Sequence, residues 1–293
     1  MESGVKRGAA ANGASRPSGA CGAGTLYVVS TPIGNLADLS GRAITTMKEV
    51  GAVLAEDTRH SRPMLERYGV ATPLVAYHEH NEAVATPKMV ERLLAGESLA
   101  LISDAGTPLL SDPGARLVRA ALEASVKVTP VPGPSAMLAA LVVSGLAADR
   151  FTFFGFLPRR GRERSDVLAE ITGLMHTAVL YEAPARVAKT LADLVAAGTG
   201  DREAVVAREL TKQFEECRRG TVRSLHASYE VKGPRGEVVL VIAGGVQREP
   251  DEMALRARAR ALREAGLSAR DVARVLNEEG NAPRNLAYRL AHE

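Results

Sequence analysis

Short runs rich in β-branched and other apolar residues alternate along most of this chain with longer segments whose apolar residues recur at helical spacing. In the first half of the chain the short runs predict strands at 25–30, 52–56, 74–77, 99–102 and 126–131. The longer segments between them predict helices at 43–50, 81–95 and 115–124. Strands that alternate with helices are typical of βαβ units, so the pattern predicts a largely parallel sheet.

A second series of the same kind begins at Phe151. Its apolar runs predict strands at 151–156, 177–182, 203–209 and 237–244, and its helical segments lie at 164–174 and 185–197. The simplest architecture is an α/β protein with an N-terminal α/β domain at 25–132 and a C-terminal α/β domain at 133–246. An apolar helix at 135–146 joins the two domains.

The two ends of the chain differ from these domains. Residues 1–24 contain almost no large apolar side chains, so they cannot build a core and predict a disordered tail. Residues 247–293 predict a helical tail of three helices, of which the last two have the spacing of a helix-turn-helix.

The composition is that of an ordinary globular protein, with 46% apolar and 24% charged residues in 293. The net charge of +3 is too small to indicate a polyanionic partner, so a nucleic-acid interpretation depends on local clusters. The two cysteines, Cys21 and Cys217, form neither a disulfide framework nor a zinc motif. The longest apolar stretch is about 14 residues, shorter than a membrane span of roughly 20. These features predict a cytoplasmic protein without a membrane partner.

Three predicted strands run directly into loops of glycine, proline and small residues, at 31–35, 103–108 and 130–136. Ligands of parallel α/β sheets bind beyond the carboxyl ends of the strands, where glycine lets the backbone approach closely. None of the loops has a dinucleotide or P-loop motif. One such loop alone is more often a connecting turn, but three after successive strands predict a ligand cleft.

The segments AEDTRH, ISDAGTP, PGPSA and ARELTK, in this order, resemble the tetrapyrrole methylase family, and within it the enzymes that methylate a cytidine of 16S ribosomal RNA. The resemblance covers about residues 25–293. It implies the two-domain tetrapyrrole methylase fold, with S-adenosyl-L-methionine in the cleft between the domains and a small helical C-terminal module. The implied activity is methyl transfer to the 2′-hydroxyl of cytidine 1402, in the decoding centre. The implied partners are the small ribosomal subunit and a second copy of the chain, with no role for DNA.

Carried over residue by residue, the resemblance places the cofactor on loop residues of both domains. They are Pro32, Gly34, Asp104, Ala105, Gly106, Thr107, Leu109, Leu110, Ser135, Ala136, Tyr181, Glu182 and Leu210. The chain departs from the family pattern at Ser30, where proline is common, and at Ala183-Pro184-Ala185, which replaces a Ser/Pro/His run. No histidine role is therefore supported at the second position.

The cluster at 56–60 is the candidate for chemistry. Methylation of a ribose hydroxyl releases a proton, which Glu56 or Asp57 could accept, while Arg59 and His60 could contact RNA phosphate. The alternative is that Asp57 caps the following helix and Arg59 forms a surface ion pair. Both interpretations remain open from the sequence.

Two further clusters of side chains each have a functional and a simpler explanation. His78 and His80 resemble a metal site, but no third ligand has suitable spacing and methyl transfer from a sulfonium needs no metal, so no metal is expected. Arg159, Arg160 and Arg162 follow an aromatic strand and are candidates for RNA phosphate contacts, although a run of charges can equally be a solvated surface.

Two rival functions remain. A methyltransferase acting on tetrapyrrole carbon shares the fold, but it typically has a glycine-richer first loop and lacks the EDTRH segment and the helical tail. A ribosome-binding protein without activity is the other rival, and the intact SDAGTP and PGPSA loops argue against it. Two roles are equally consistent with the sequence of the helical tail: a structural role, in packing or in stabilising a dimer, and docking to ribosomal RNA.

Overall fold

A computed structural model describes residues 22–245, 251–278 and 282–293, and the chain divides after Ala243 into two compact units. The predicted tail, residues 1–24, lies outside the described residues except for its last three. Of these, Gly24 is buried, and its N–H donates to the carbonyl of Leu93 at 2.7 Å. The last residue of the predicted tail is therefore hydrogen-bonded to the folded domain.

The first sheet is parallel throughout, in the strand order β3-β2-β4-β1-β5. Its strands are β1 (Thr25–Val29), β2 (Ala52–Ala55), β3 (Leu74–Ala76), β4 (Leu99–Ile102) and β5 (Lys127–Val131). Helices α1 (Gly41–Glu49) and α2 (Thr58–Arg67) contribute to one hydrophobic cluster, and α3 (Glu82–Leu94) and α4 (Ala115–Glu123) to another. Successive residues of β2 alternate between these clusters, so helices cover both faces. The predicted parallel α/β arrangement is confirmed.

The second sheet is mixed, in the order β6-β7-β10-β8-β9, and only β6 and β7 are parallel. Its strands are β6 (Phe151–Phe156), β7 (Thr177–Glu182), β8 (Glu203–Arg208), β9 (Glu216–Thr221) and β10 (Val238–Ile242). Its helices are α5 (Ala136–Ser144), α6 (Arg162–Gly173), α7 (Val187–Leu194) and α8 (Val222–Tyr229).

Strand β9 is one of the elements that the sequence pattern did not predict. Its sequence, ECRRGT, lacks a run of apolar residues and looks like a charged loop. The strand forms because it pairs along its whole length with β8 at the edge of the sheet, where charged side chains face solvent. Pairing with a distant segment therefore overrides its weak local propensity.

A hydrophobic cluster connects the two sheets. It contains Ile33 from the loop after β1, Met137 and Leu141 from α5, and strand residues of the second sheet such as Val179 and Val205. The chain passes from the first sheet to the second between β5 and β6, where the sequence predicts a domain boundary at 132/133. That boundary stays a prediction.

The C-terminal unit consists of α9 (Glu252–Glu264), α10 (Ala269–Glu278) and α11 (Arg284–His292). The three helices share a small core that includes Leu255, Val272, Leu276 and Leu290. The predicted turn between the last two helices falls at 279–281, outside the described residues. The roles considered for this unit stay predictions.

Within the described ranges, no helix combines the length and apolar character that crossing a membrane requires. The same ranges contain no group of three or more His, Cys, Asp or Glu side chains arranged to hold a metal ion. Cys217, on β9, is a free and partly buried thiol.

Candidate functional site

A cavity of about 440 Å³ opens between the loops of the two sheets. Most of the predicted cofactor residues line it, namely Asp104, Ala105, Gly106, Thr107, Leu110, Ala136, Tyr181, Glu182 and Leu210. Glu56 lines it as well, whereas Pro32, Gly34, Leu109 and Ser135 do not. Residues contributed by β7, β8 and β10 face residues from the loops after β1, β2 and β4. Both sheets therefore build one site.

Hydrogen bonds join the three glycine- and proline-rich loops at the floor of this cavity. Thr31 and Gly106 exchange backbone hydrogen bonds of 2.8 and 3.1 Å. The Thr107 hydroxyl donates to the Pro134 carbonyl at 3.1 Å, so its remaining contact, at 3.0 Å, accepts a proton from the Ser30 hydroxyl. A proline at position 30 could not donate this bond, so the departure from the family pattern links two loops.

Backbone strain is concentrated on two sides of the cavity. Leu109 and Ser111 have φ values of +74° and +71° in the loop after β4, and Glu209 and Thr211 have +50° and +66° in the loop after β8. Side chains with a Cβ seldom adopt this left-handed conformation, which costs of order 1–3 kcal/mol and is typical of functional sites. The strain therefore marks the ISDAGTPLL and ARELTK loops as functional candidates.

Gly106 has a structural reason to be glycine. Its φ is +79°, and a Cβ built on it would lie 3.3 Å from Cγ2 of Ile33. A side chain there would require Ile33 to move by a few tenths of an ångström and would be strained by the positive φ.

Aromatic and aliphatic side chains both line the cavity. The Tyr181 ring lies 4.9 Å from Phe153 and 5.5 Å from Phe156, measured between centroids. Phe156 remains 56% exposed, and burial raises the pKa of Tyr181. The aliphatic residues are Ile33, Leu110, Ala136, Ala207, Leu210 and Val239. Such a slot suits a flat, weakly polar ring.

Five carboxylate side chains line the cavity, and three of them, Glu56, Asp104 and Asp112, belong to the loops of the first sheet. Asp104 is held in place because its Oδ1 accepts the backbone N–H of Asp57 at 3.0 Å. Burial and the nearby charge of Asp104 raise the pKa of Asp112 to about 6, although a hydrogen bond from Ser103 partly opposes them. Burial, Asp112 and Asp104 likewise raise the pKa of Glu56. A cationic ligand would relieve this repulsion.

Asp112 was missed by the sequence analysis. It stands in Ser111-Asp112-Pro113-Gly114, a combination typical of turns, and nothing local distinguishes it from a turn residue. Its position in the cavity depends on the folded path of the loop after β4. The signal that could have indicated it is its closeness to the SDAGTP motif.

Asp57 and Arg59 adopt the capping arrangement. The Asp57 carboxylate accepts the backbone N–H of Arg59 at 2.8 Å, as the N-cap of α2, and also pairs with the Arg59 guanidinium at 2.9 Å. These bonds from Arg59 lower the pKa of Asp57 to about 2, so the carboxylate is a weak proton acceptor. Neither residue lines the cavity, nor does the exposed His60. The geometry therefore favours capping over catalysis for Asp57.

Glu182 is an internal anchor at the end of β7. Its carboxylate accepts the Thr190 hydroxyl at 2.6 Å and the backbone N–H of Ala183 at 2.9 Å, and it pairs with Arg186 at 3.0 Å. Because protein groups occupy both oxygens, the side chain fixes the shape of the wall. Ala183 and Pro184, at the second departure from the family pattern, line the cavity without an ionisable group.

The arginine cluster after β6 contains two kinds of residue. Arg164 is 5% exposed, pairs with Asp193 at 2.8 Å and also donates to Thr190 and Pro158. Arg159, Arg160 and Arg162 are exposed, and Arg162 makes only a loose pair with Asp166 at 3.7 Å. Arg164 is therefore structural, and the RNA role of the other three stays a prediction.

A network of charges closes the edge of the cavity near the ARELTK loop. The ammonium of Lys212 lies 3.0 Å from Glu209 and 3.1 Å from Glu237, which itself lines the cavity. Gly34 packs on this network, since a Cβ there would lie 2.4 Å from Cγ of Lys212. Gly34 is thus needed for contact between the two loops.

The histidine pair lies away from the cavity lining. The His78 and His80 rings are 6.0 Å apart, and the backbone N–H of His78 donates to the Asn81 side chain. The buried Nδ1 of His78 has no hydrogen-bond partner among the described residues. The loop is shaped mainly by Asn81, which also donates to the Ala76 carbonyl.

Comparison with known proteins adds information that the geometry does not contain. The family model for tetrapyrrole (corrin/porphyrin) methylases matches residues 25–226. A protein from Synechocystis named ribosomal RNA small subunit methyltransferase I is 44% identical over 92% of this chain and 98% of its own length. A protein of the same name from Xylella fastidiosa is 46% identical over 90% of this chain and 98% of its own.

Solved structures share the fold at low sequence identity. Diphthine synthase superposes with a TM-score of 0.60 at 17% identity, covering 75% of this chain and 89% of that protein. Uroporphyrin-III C-methyltransferase from Thermus thermophilus, complexed with S-adenosyl homocysteine, gives 0.53 at 18% identity, covering 75% and 97%. At these identities the likeness concerns the fold alone.

We expect Arg164→Ala to lower the free energy of unfolding by about 3 kcal/mol, because it leaves Asp193 without its partner in a largely buried network. Arg162→Ala is the matched control from the same cluster and should cost less than about 0.5 kcal/mol, since its pair is exposed. Urea unfolding of both variants measures the difference. Equal losses would contradict the division of the cluster.

For Asp57 we expect Ala to lower the Tm by a few degrees through loss of the helix cap, whereas Asn should retain most of the stability. The pH dependence follows from its lowered pKa: the contribution of the carboxylate is complete above about pH 4 and declines as the pH falls toward 2. Thermal unfolding of both variants at pH 7 and pH 3 tests this. An Asn variant as unstable as Ala at pH 7 would argue against the capping role.

Proposed function

Because the chain belongs to the tetrapyrrole methylase family, with relatives named ribosomal RNA small subunit methyltransferase I, we propose that it is a methyltransferase of small-subunit ribosomal RNA that uses S-adenosyl-L-methionine. The finer proposal is that it methylates the 2′-hydroxyl of cytidine 1402 in 16S rRNA. Identity of 44–46% along nearly the whole length of those relatives supports it.

The observation that carries the proposal is the cavity built by both sheets. Its volume of about 440 Å³ lies within the usual range for small-molecule sites. The SDAGTP loop and the Ala136 end of the PGPSA loop form part of its lining. A solved protein of this fold is complexed with S-adenosyl homocysteine, which is the demethylated form of the proposed cofactor.

The residues of the cavity fit this cofactor. The aliphatic side chains and the ring of Tyr181 suit an adenine base, and the backbone at Gly106 can approach a ligand closely. The buried hydroxyl of Ser135, beside the lining residue Ala136, has no partner within the described residues and is available to a polar ligand atom. The carboxylates of Glu56, Asp104 and Asp112 offset a positive charge. S-adenosyl-L-methionine, when bound, supplies an activated methyl group on a positively charged sulfur.

The chain itself has to position the ribose and accept one proton. Positioning accounts for most of the rate enhancement in such a reaction. Glu56 and Asp112 are the carboxylates of the cavity whose pKa is raised, so they are better proton acceptors than Asp57. We assign the proton to Asp112, because its pKa of about 6 lies near neutral pH while leaving the carboxylate ionised at pH 7.5.

The proposal extends to partners and location. The substrate is ribosomal RNA of the small subunit, in the cytoplasm, and the protein acts as a homodimer. Support for the dimer comes from α5, on which Leu138, Val142 and Val143 are 47%, 72% and 42% exposed. Three exposed apolar side chains on one helix form a patch that a second copy of the chain could bury.

The decisive experiment uses small ribosomal subunits from cells that lack this gene. Purified protein and radiolabelled S-adenosyl-L-methionine should place one methyl group per subunit, recovered as 2′-O-methylcytidine and mapped to position 1402 by mass spectrometry of RNA fragments. Gly106→Val is the control for the cofactor site and should abolish labelling. Labelling at another nucleotide would overturn the finer proposal, and transfer only to a tetrapyrrole would overturn the coarser one.

We expect Asp112→Asn to reduce the single-turnover rate of methylation about 10²-fold, with little change in cofactor or RNA affinity. In the parent protein the rate should fall as the pH drops through about 6, because protonated Asp112 cannot accept a proton, and the variant should lack this step. Asp57→Asn is the matched control and should react at nearly the parental rate. If Glu56→Gln removed the pH step and Asp112→Asn did not, the proton would belong to Glu56.

The same substitution also tests the environment of Asp112. Folding raises its pKa from 3.8 to about 6, so ionised Asp112 lowers the stability of the parent above pH 6, and this penalty disappears below about pH 4. The Asn variant should therefore unfold at a higher temperature than the parent at pH 7.5 and at a similar one near pH 4. Equal Tm values at pH 7.5 would contradict burial of the charge.

A further inference from the structure

A second cavity, of about 390 Å³, lies at the β9 edge of the second sheet. Its charged lining residues are Arg208, Glu216, Arg218, Lys232 and Arg235. Four cations therefore face one carboxylate. The ion pairs and aromatic contacts around this cavity show which of these charges are available to a ligand.

The single carboxylate is already occupied. Glu216 pairs with Arg208 at 2.6 Å across the β8–β9 pairing and with Arg218, on its own strand, at 3.0 Å. Lys232 and Arg235 are exposed, and no carboxylate of the described residues lies within salt-bridge distance of either. The cavity therefore has two free positive charges at its rim.

Tyr229 forms the inner wall. The Arg218 guanidinium lies 5.0 Å from the centre of its ring, a cation–π contact that holds the arginine at the cavity. Tyr229 is only 4% exposed, and its hydroxyl has no hydrogen-bond partner in the described part of the chain. Buried hydroxyls are normally satisfied, so a ligand oxygen is a suitable partner.

An exposed aromatic residue connects this cavity with the candidate active site. A neighbouring cavity of about 320 Å³ shares Arg208 and Arg235 with it and is also lined by Phe214, which is 65% exposed. The same neighbouring cavity reaches Gly236, which lines the active-site cavity as well. Cationic and aromatic surface therefore extends from the active site to the β9 edge.

The nearby acidic side chains do not cancel this surface. Glu209 is held by Lys212 at 3.0 Å and by the backbone N–H of Glu237 at 3.0 Å. Glu237 pairs with the same ammonium at 3.1 Å, although its side chain is 73% exposed. The unpaired charges that remain on this side are those of Lys232 and Arg235.

We propose that this surface, here called the β9-edge track, binds the single-stranded RNA next to the methylated nucleotide. Phosphates lie against Lys232 and Arg235, and one unstacked base stacks on Phe214. Single-stranded RNA is typically bound in this way, by cations along its backbone and by aromatic faces under its bases. The inference rests on the proposed function. When one nucleotide is held in the active-site cavity, the neighbouring RNA must leave the cavity at its edge, and Gly236 lies at the edge shared with the neighbouring cavity.

The β9-edge track is distinct from the arginines predicted by sequence. Arg159, Arg160 and Arg162 follow β6, at one edge of the second sheet, whereas the track lies at the opposite edge. Lys232 and Arg235 stand in a short segment between α8 and β10, where the sequence shows no cluster of positive charge. The site depends on the pairing of β8 with β9 and on the packing of α8.

The test compares salt dependence of RNA binding. The probe is a synthetic fragment of the decoding region of 16S rRNA, and binding to the full-length protein is measured by fluorescence anisotropy at several salt concentrations. For Lys232→Ala/Arg235→Ala we expect the slope of log K against log salt to shrink by about 1.4, that is about 0.7 per lost phosphate contact. Lys88→Ala/Arg119→Ala, which removes two cations from α3 and α4, should leave the slope unchanged.

Phe214→Ala provides an independent readout. It should weaken binding about tenfold while leaving the salt slope at the parental value, because stacking releases no counterions. All four substituted side chains of the double variants and Phe214 are exposed, so these proteins should fold normally. Cofactor affinity should be the same in every variant.

The outcomes separate the inference from the proposed function. An unchanged slope in Lys232→Ala/Arg235→Ala, in a preparation whose parent methylates the subunit, would overturn the track and leave the function intact. A reduced slope with no methyl transfer by the parent would support the track as an RNA site and overturn the function. If Lys232→Ala/Arg235→Ala lost binding to assembled subunits but bound the RNA fragment like the parent, the occupant of the surface would be a ribosomal protein. That result would also overturn the track.

Discussion

The paired backbone hydrogen bonds between Thr31 and Gly106 hold together the loops on which the candidate active-site cavity depends. They join the ends of two parallel strands, and the hydroxyls of Ser30 and Thr107 extend the connection to the PGPSA loop through Pro134. Without these bonds, loops rich in glycine and proline would sample many conformations. With them, the loop after β4 is fixed in a strained path that presents Asp104 and Asp112 to the cavity.

The arrangement of charge follows from that path. Asp104 and Asp112 come from one loop and Glu56 from the neighbouring strand end, so repulsion and burial raise the pKa of two of the three carboxylates. Such an arrangement lowers the stability of the empty site and favours a cationic ligand. Residues nearby that carry equal charge have other roles, because Asp57 caps a helix and Glu182 anchors the end of β7.

The second sheet places positive charge at both of its edges. The exposed arginines after β6 lie at one edge and the β9-edge track at the other, while the cavity lies between the two sheets. A net charge of +3 conceals this distribution, because a number of arginines, among them Arg164 and Arg208, are paired locally with Asp or Glu. What matters for RNA binding is which cations lack a carboxylate partner, and that is a property of the folded chain.

The sequence by itself determined the alternation of strands and helices, the three glycine- and proline-rich loops after predicted strands and the family, because these depend on residue order and local periodicity. The SDAGTP loop could be assigned to a ligand site from the same pattern. Only the tertiary structure decided the use of individual charges: it buried Arg164 and exposed Arg162, made Asp57 a cap, brought Asp112 into the cavity and formed β9 from a charged segment. The physical reason is that burial, pKa and strand pairing depend on groups that are distant in sequence. Local sequence patterns contain no information about those groups.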